Sequence, residues 1–172
     1  MIHSSGQIIS AQAAEDIVDG IGATKDSDGY TRITFKAVCV AESPTGEDAG
    51  NWQNLYGFWV KEAGEGDEKT FVGIIGDDTV PYANRKPTIV DHNSPVVDPE
   101  NKARTFLQGD ELTVERNGII SVIAASDIQQ GQYIKLADGG AFQPAGANDA
   151  RVGLAIESAA AGERFRATIW AL

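Results

Sequence analysis

The chain has little of what catalysis and covalent bracing use. Its 172 residues include one cysteine, one methionine and two histidines. A single cysteine excludes an internal disulfide. Cys39 sits in an alternating apolar run, which reads as a buried, inert thiol rather than a nucleophile. No stretch approaches the roughly 18 apolar residues of a membrane helix. The start, Met1-Ile-His-Ser-Ser-Gly6, lacks the basic residues and apolar block of a signal peptide. The expectation is a protein that works where it is made, or leaves by lysis or within a particle. Basic residues are scarce: 14 Lys and Arg against 25 Asp and Glu, a net charge of −11. A surface that acidic disfavours nucleic acid and anionic membrane as partners, and it also serves solubility alone.

Sites of chemistry are equally sparse. His3 falls at the start and His92 in a proline-rich stretch, where Asp91-His92 and Ser94 do not make a triad by sequence adjacency. Asp77-Asp78 lacks the alternating acids and closing glutamate of a calcium loop and reads as a turn. Gly64-x-Gly66 and Gly73-x-x-Gly76 lack the helix and lysine of a phosphate cradle. No Cys/His spacing suits a metal. The expectation is no enzyme, no metal and no cofactor.

What is present is strand grammar. An apolar content of 42% supports a core for one domain, or one with a large insertion. A short phrase occurs three times: Phe106-Leu-Gln-Gly-Asp-Glu-Leu-Thr-Val114, Ile128-Gln-Gln-Gly-Gln-Tyr-Ile-Lys-Leu136 and Ala159-Ala-Ala-Gly-Glu-Arg-Phe-Arg-Ala167. Its glycine (Gly109, Gly131, Gly162) permits a turn with positive φ. The alternation after it has the period of a strand with one buried face. Further strands are expected at Tyr30–Val40, Leu55–Val60, Phe71–Ile75, Gly118–Ala124 and Arg151–Ile156. Residues 1–9 read as an extended arm. A short helix is expected from Ser10 to Val18, capped by the serine and rich in alanine. Residues 76–105 hold four of the six prolines and read as a long irregular connection. The fold class predicted is all-β: a small antiparallel barrel or sandwich with an N-terminal arm and one short helix. The divisions expected are 1–25 for arm and helix, 26–105 for a β-rich region with a long proline-rich loop or an inserted outward-facing subdomain, and 106–172 for the barrel.

Aromatics concentrate at Trp52, Tyr56, Phe58 and Trp59. Alternation puts Trp59 on one face and Tyr56 with Phe58 on the other. Three readings stay open: a strand buried on both sides, an aromatic face meeting a partner, or a sugar-stacking platform.

The strand phrases Gly109–Val114, Gly118–Ala124, Gly131–Leu136, Val152–Glu157 and Ala161–Ile169 together resemble the capsid decoration, or structural cement, proteins of tailed bacteriophages. The resemblance covers residues 106–172. It implies a non-enzymatic protein on the outer surface of a virion, made in the host cytoplasm. Its partners would be the major capsid protein and other copies of itself, as a trimer, with no nucleic acid and no membrane. An arm reaching neighbouring subunits is also implied. The candidate interface is then Ile8 and Ile9 of the arm with Trp52, Tyr56, Phe58 and Trp59. The other reading is a carbohydrate- or receptor-binding β-module of a phage tail or fibre.

Overall fold

The computed structural model describes residues 8–19, 35–44, 58–76 and 104–171. Their strands are β1 (Ile8–Ala13), β2 (Ile17–Asp19), β3 (Ala37–Ala41), β4 (Trp59–Glu62), β5 (Phe71–Ile75) and β6 (Arg104–Phe106). Then come β7 (Glu111–Glu115), β8 (Asn117–Ile123), β9 (Tyr133–Ala137), β10 (Ala141–Pro144), β11 (Gly153–Ala155) and β12 (Arg164–Trp170). The all-β expectation holds. The short helix does not: Ser10 to Val18 forms most of β1 and the start of β2. Alanine favours helix only weakly, and here β1 buries Ala11 and Ala13 in a barrel wall. Ile8 and Ile9, expected in an arm, are instead the first residues of β1, paired with Glu115 and Val114.

Strands β1-β4-β3-β5-β7 close into a barrel, with β7 returning to β1. A second sheet runs β10-β9-β11-β12-β8. Ala124, just past β8, makes a parallel bridge to Phe142 of β10, so this sheet curls until its edges meet. The two units are one topology used twice. β1, β3, β4, β5 and β7 hold the places of β8, β9, β10, β11 and β12. The register agrees at each junction. Gln12↔Glu111 matches Ile123↔Arg164, and Val40↔Val60 matches Leu136↔Phe142. Val38↔Gly73 matches Ile134↔Gly153, and Ile74↔Glu115 matches Leu154↔Thr168. The parallel junction Ala13↔Val60 matches Ala124↔Phe142.

The sequence carries this repeat where the register is tightest. Ile8-Ile-Ser-Ala-Gln-Ala-Ala-Glu-Asp-Ile17 aligns with Ile119-Ile-Ser-Val-Ile-Ala-Ala-Ser-Asp-Ile128. Each copy ends in a clip that locks the barrel. In the first, the Gly109 N–H donates to the Ala13 carbonyl at 2.8 Å and the Gln108 N–H to the Asp16 carboxylate at 2.8 Å. In the second, the Gly162 N–H donates to the Ala124 carbonyl at 2.7 Å and the Ala161 N–H to the Asp127 carboxylate at 2.9 Å. The turns themselves are alike. The Leu107 N–H donates to the Asp110 carboxylate and the Ala160 N–H to the Glu163 carboxylate. The third phrase makes the same turn, with the Gln129 N–H on the Gln132 side chain. Gly109, Gly131 and Gly162 all have positive φ, at 89°, 87° and 83°. That conformation is cheap for glycine and costly for residues with a Cβ. The register places Phe35 opposite Gly131 in the repeat, and Phe35 has φ 51°, the one non-glycine with positive φ among the described residues.

The cores repeat as well. The first encloses Ala11, Ala13, Ile17, Val38, Val60, Val72, Ile75, Phe106, Leu112 and Val114. Each has a buried counterpart in the second, among them Val122, Ile128, Ile134, Val152 and Phe165. Bulk is redistributed: Val60 and Phe106 of the first barrel become Phe142 and Ala159 in the second. Such volume-conserving exchanges keep an interior close-packed. Gly73 and Gly153 are equivalent for a steric reason. A Cβ on Gly73 would collide with the carbonyl oxygen of Glu115, and one on Gly153 would lie 2.5 Å from that of Thr168.

The barrels meet asymmetrically. The outward residues Ala37, Cys39, Phe71 and Ile74 of β3 and β5 join the second core. Phe71 packs edge-on against Phe142, ring centroids 6.3 Å apart. The Gly140 N–H, in the β9–β10 turn, donates to the Ala63 carbonyl at 2.9 Å. The side of the first barrel thus caps one end of the second.

Candidate partner-docking site at the open end of the first barrel

The capped end of the second barrel contains Ile120, Leu136 and Ile169, each at most 1% exposed. The same end of the first barrel has no such cap among the described residues. Its equivalent positions are Ile9, Val40 and Arg116. They line a groove of about 220 Å³ with Phe58, Thr70, Phe71 and Val72. Val40 is 43% exposed, whereas its counterpart Leu136 is fully buried. Ile8, on the outer rim, is 48% exposed.

Two of the candidate residues converge here. Ile9 reaches the groove from β1 and Phe58 from the residue before β4, and both pack on the first core. Trp59, one residue along, points to the other side and is only 5% exposed. Its burial removes it from any stacking platform. Trp52 and Tyr56 lie outside the described residues. Val40 and Arg116 were not evident as partners of Ile9 from alternation alone. The repeat would have found them, because it aligns Val40 with the core residue Leu136.

A second surface lies on the outer face of the second barrel. Tyr133 and Trp170 are 43% and 40% exposed and pack edge to face, with centroids 6.4 Å apart. The Arg151 guanidinium sits 4.0 Å from the Tyr133 ring centroid, and the Trp170 Nε1–H donates to the Arg151 carbonyl at 3.1 Å. Nearby, Lys135 pairs with Asp149 at 3.2 Å and Glu65 at 3.3 Å. Hydrogen bonds to those two carboxylates raise the Lys135 pKa.

The titratable chemistry is structural in character. Burial pushes the Cys39 thiol up to about 11, and the Asp67 carboxylate adds to the shift. A thiol so protonated is a poor nucleophile at neutral pH. Among the described residues no group of three or more His, Cys, Asp or Glu side chains could hold a metal ion. No described helix is long and apolar enough to cross a membrane.

No protein-family model matches the chain, and no curated protein does. Among solved structures, the chain is similar to the head fiber gp8.5 N base of bacteriophage phi29. The two share 16% identity over 95% of this chain and 92% of that one, with a TM-score of 0.47.

Proposed function

We propose that the chain is a non-enzymatic capsid decoration protein. It binds the outer surface of a phage head, braces the major capsid protein lattice and acts as a homo-oligomer, a trimer. The observation that carries the homo-oligomer in this reading is the largely apolar end of the first barrel, where Ile9, Val40 and Phe58 surround a groove of about 220 Å³. Such a surface, half-buried and lined mostly by apolar side chains with Thr70 and Arg116 among them, suits docking to protein. The sequence resemblance over 106–172 supplies the setting. Ile8, Trp52 and Tyr56 remain proposed contacts to the shell. Each copy joins neighbouring subunits already held in place, so modest contacts add up over a particle. The acidic surface faces water.

The test is add-back. Shells stripped of the protein should burst at a lower temperature than decorated shells, and purified protein should restore the difference at moderate salt, since apolar contacts are not screened. Unchanged bursting together with saturable binding on a glycan array would replace this reading with the carbohydrate-binding module.

A further inference from the structure

We infer that the open end of the first barrel receives the outer face of the second barrel from another copy of this chain, so that copies join head to tail. The inference deepens the docking reading above by naming the occupant of the groove. It rests on the internal repeat. Within one chain, the outward face of β3 and β5 caps the end of the second barrel marked by Ile120, Leu136 and Ile169. Two surfaces of that internal contact therefore have repeat equivalents left over. One is the end of the first barrel, which has no cap among the described residues, with Ile9, Val40 and Arg116 at the equivalent positions. The other is the outer face of β9 and β11, which the first barrel touches through the Lys135–Glu65 ion pair. There Tyr133 replaces Ala37, Lys135 replaces Cys39, Leu154 replaces Ile74 and Arg151 replaces Phe71, with Trp170 of β12 beside them.

Both leftovers present exposed apolar side chains beside cationic ones, Arg116 at the groove and Arg151 and Lys135 on the outer face. Val40, Tyr133 and Trp170 are each at least 40% exposed. The aromatic contribution that Phe71 makes inside the chain is supplied on the second barrel by Tyr133 and Trp170, held against each other and against Arg151. Aromatic and arginine side chains in such a cluster are the types that dominate protein interfaces. Because the two surfaces differ, the contact is heterologous. Repeated application closes a ring if the rotation allows, and otherwise extends a filament. Ile9 and Phe58 are thereby assigned to copy–copy contact, leaving Ile8, Trp52 and Tyr56 for the shell.

The test uses two variants of the full chain, Val40→Asp and Trp170→Asp. Each places a charge on one surface at an exposed position, so each should keep the native circular dichroism, with Trp170→Asp melting somewhat lower because it also loses the Tyr133 contact and the bond to the Arg151 carbonyl. Sedimentation velocity over a concentration series then reads assembly. The wild type should form a species larger than a dimer, and each variant alone should be monomeric. An equimolar mixture should give a dimer and nothing larger, because only one intact pair of complementary surfaces remains. A wild type that stays monomeric at every concentration overturns the inference, as do variants that assemble like wild type or a mixture that forms no dimer. Shell add-back with the same variants separates the two proposals. Variants that fail to self-associate but still bind shells uphold both, while wild type that self-associates without binding shells refutes only the shell reading.

Discussion

The first barrel joins β3 to β4 through residues 42–58, and the second joins the equivalent β9 to β10 through 138–140. The first joins β5 to β6 through 76–103, where the second needs only 156–158 before Ala159 bridges back to Ile128. Yet register, clip and core positions agree between the two. The lesson is that closure is set by strand pairing and by the glycine clip, and the connections are free to grow. Loop-closure entropy rises slowly, about 0.6 kcal/mol per doubling of length. What the second barrel gains from its short β9–β10 turn is a cap. Gly140 can press against Lys36 and Ala37, where a Cβ would lie 2.7 Å from the Lys36 Cβ.

The equivalence breaks most easily at Gly73 and Gly153. Valine at either site should cost more than about 4 kcal/mol, since the obstacle is a backbone carbonyl that cannot rotate away. Urea denaturation of both variants checks this, with loss of folded protein counting as the same outcome. Tolerance at one site alone would separate the two barrels.

Core redistribution gives the next effect. Phe106→Ala should cost about 3–5 kcal/mol by opening a cavity. Val60→Phe should cost about 1–3 kcal/mol by overpacking. Together they convert the first core to the Phe142/Ala159 pattern of the second, so the double variant should be more stable than the two costs predict if added. Strict additivity in the denaturation midpoints would show that these positions do not share one interior.

Much of this was legible in the sequence, and the failures have identifiable causes. Gly109, Gly131 and Gly162 announced their turns because no other residue adopts that φ so cheaply. Phe71–Ile75 was read to the residue, since its apolar pattern has no helical alternative. The segment from Ser10 to Val18 was misread because Ala11, Ala13 and Ala14 look helical in isolation. Its duplicate at residues 119–128 alternates Ile120, Val122 and Ala124 on one face and reads as strand. Comparing the two would have corrected the first and revealed the double barrel. β10 escaped notice because its four residues Ala-Phe-Gln-Pro carry a single large apolar side chain. The groove was half visible: Ile9 and Phe58 were candidates, but Val40 and Arg116 join them only through barrel closure.

Cys39 and Lys135 hold the same register position and sharpen the contrast at high pH. The Cys39 pKa is raised to about 11 in the folded protein. The folded state therefore keeps a proton that the unfolded chain loses. Its contribution is fully present below the unfolded pKa near 9 and declines as pH rises towards 11, by up to roughly 2–3 kcal/mol at about 1.4 kcal/mol per unit. Denaturation of wild type between pH 8 and 11 should fall more steeply than that of Cys39→Ala. Parallel slopes would mean that the thiol is not shielded. Lys135 is half-buried and ion-paired, and hydrogen bonds to Asp149 and Glu65 raise its pKa, so it keeps its charge and Lys135→Ala should leave that slope unchanged below pH 10.

The clip carboxylates give the smallest effect. Asp16→Ala and Asp127→Ala each remove one hydrogen bond to a turn N–H, at 2.8 Å and 2.9 Å. Each should cost about 1 kcal/mol, and the two should agree within a few tenths. A much larger loss at Asp16 would show that the first barrel depends on its clip in a way the second does not.

The central claim, one barrel built twice, is tested most directly by amide hydrogen exchange resolved residue by residue. The account predicts protection in matched pairs: Ala13 with Ala124, Ala14 with Ala125, Ile75 with Ala155, and Gly109 with Gly162, whose N–H groups make equivalent bonds. Slow exchange in 117–170 with fast exchange at Ala13, Ala14, Ile75 and Gly109 would contradict it, leaving a single barrel preceded by strands that do not close.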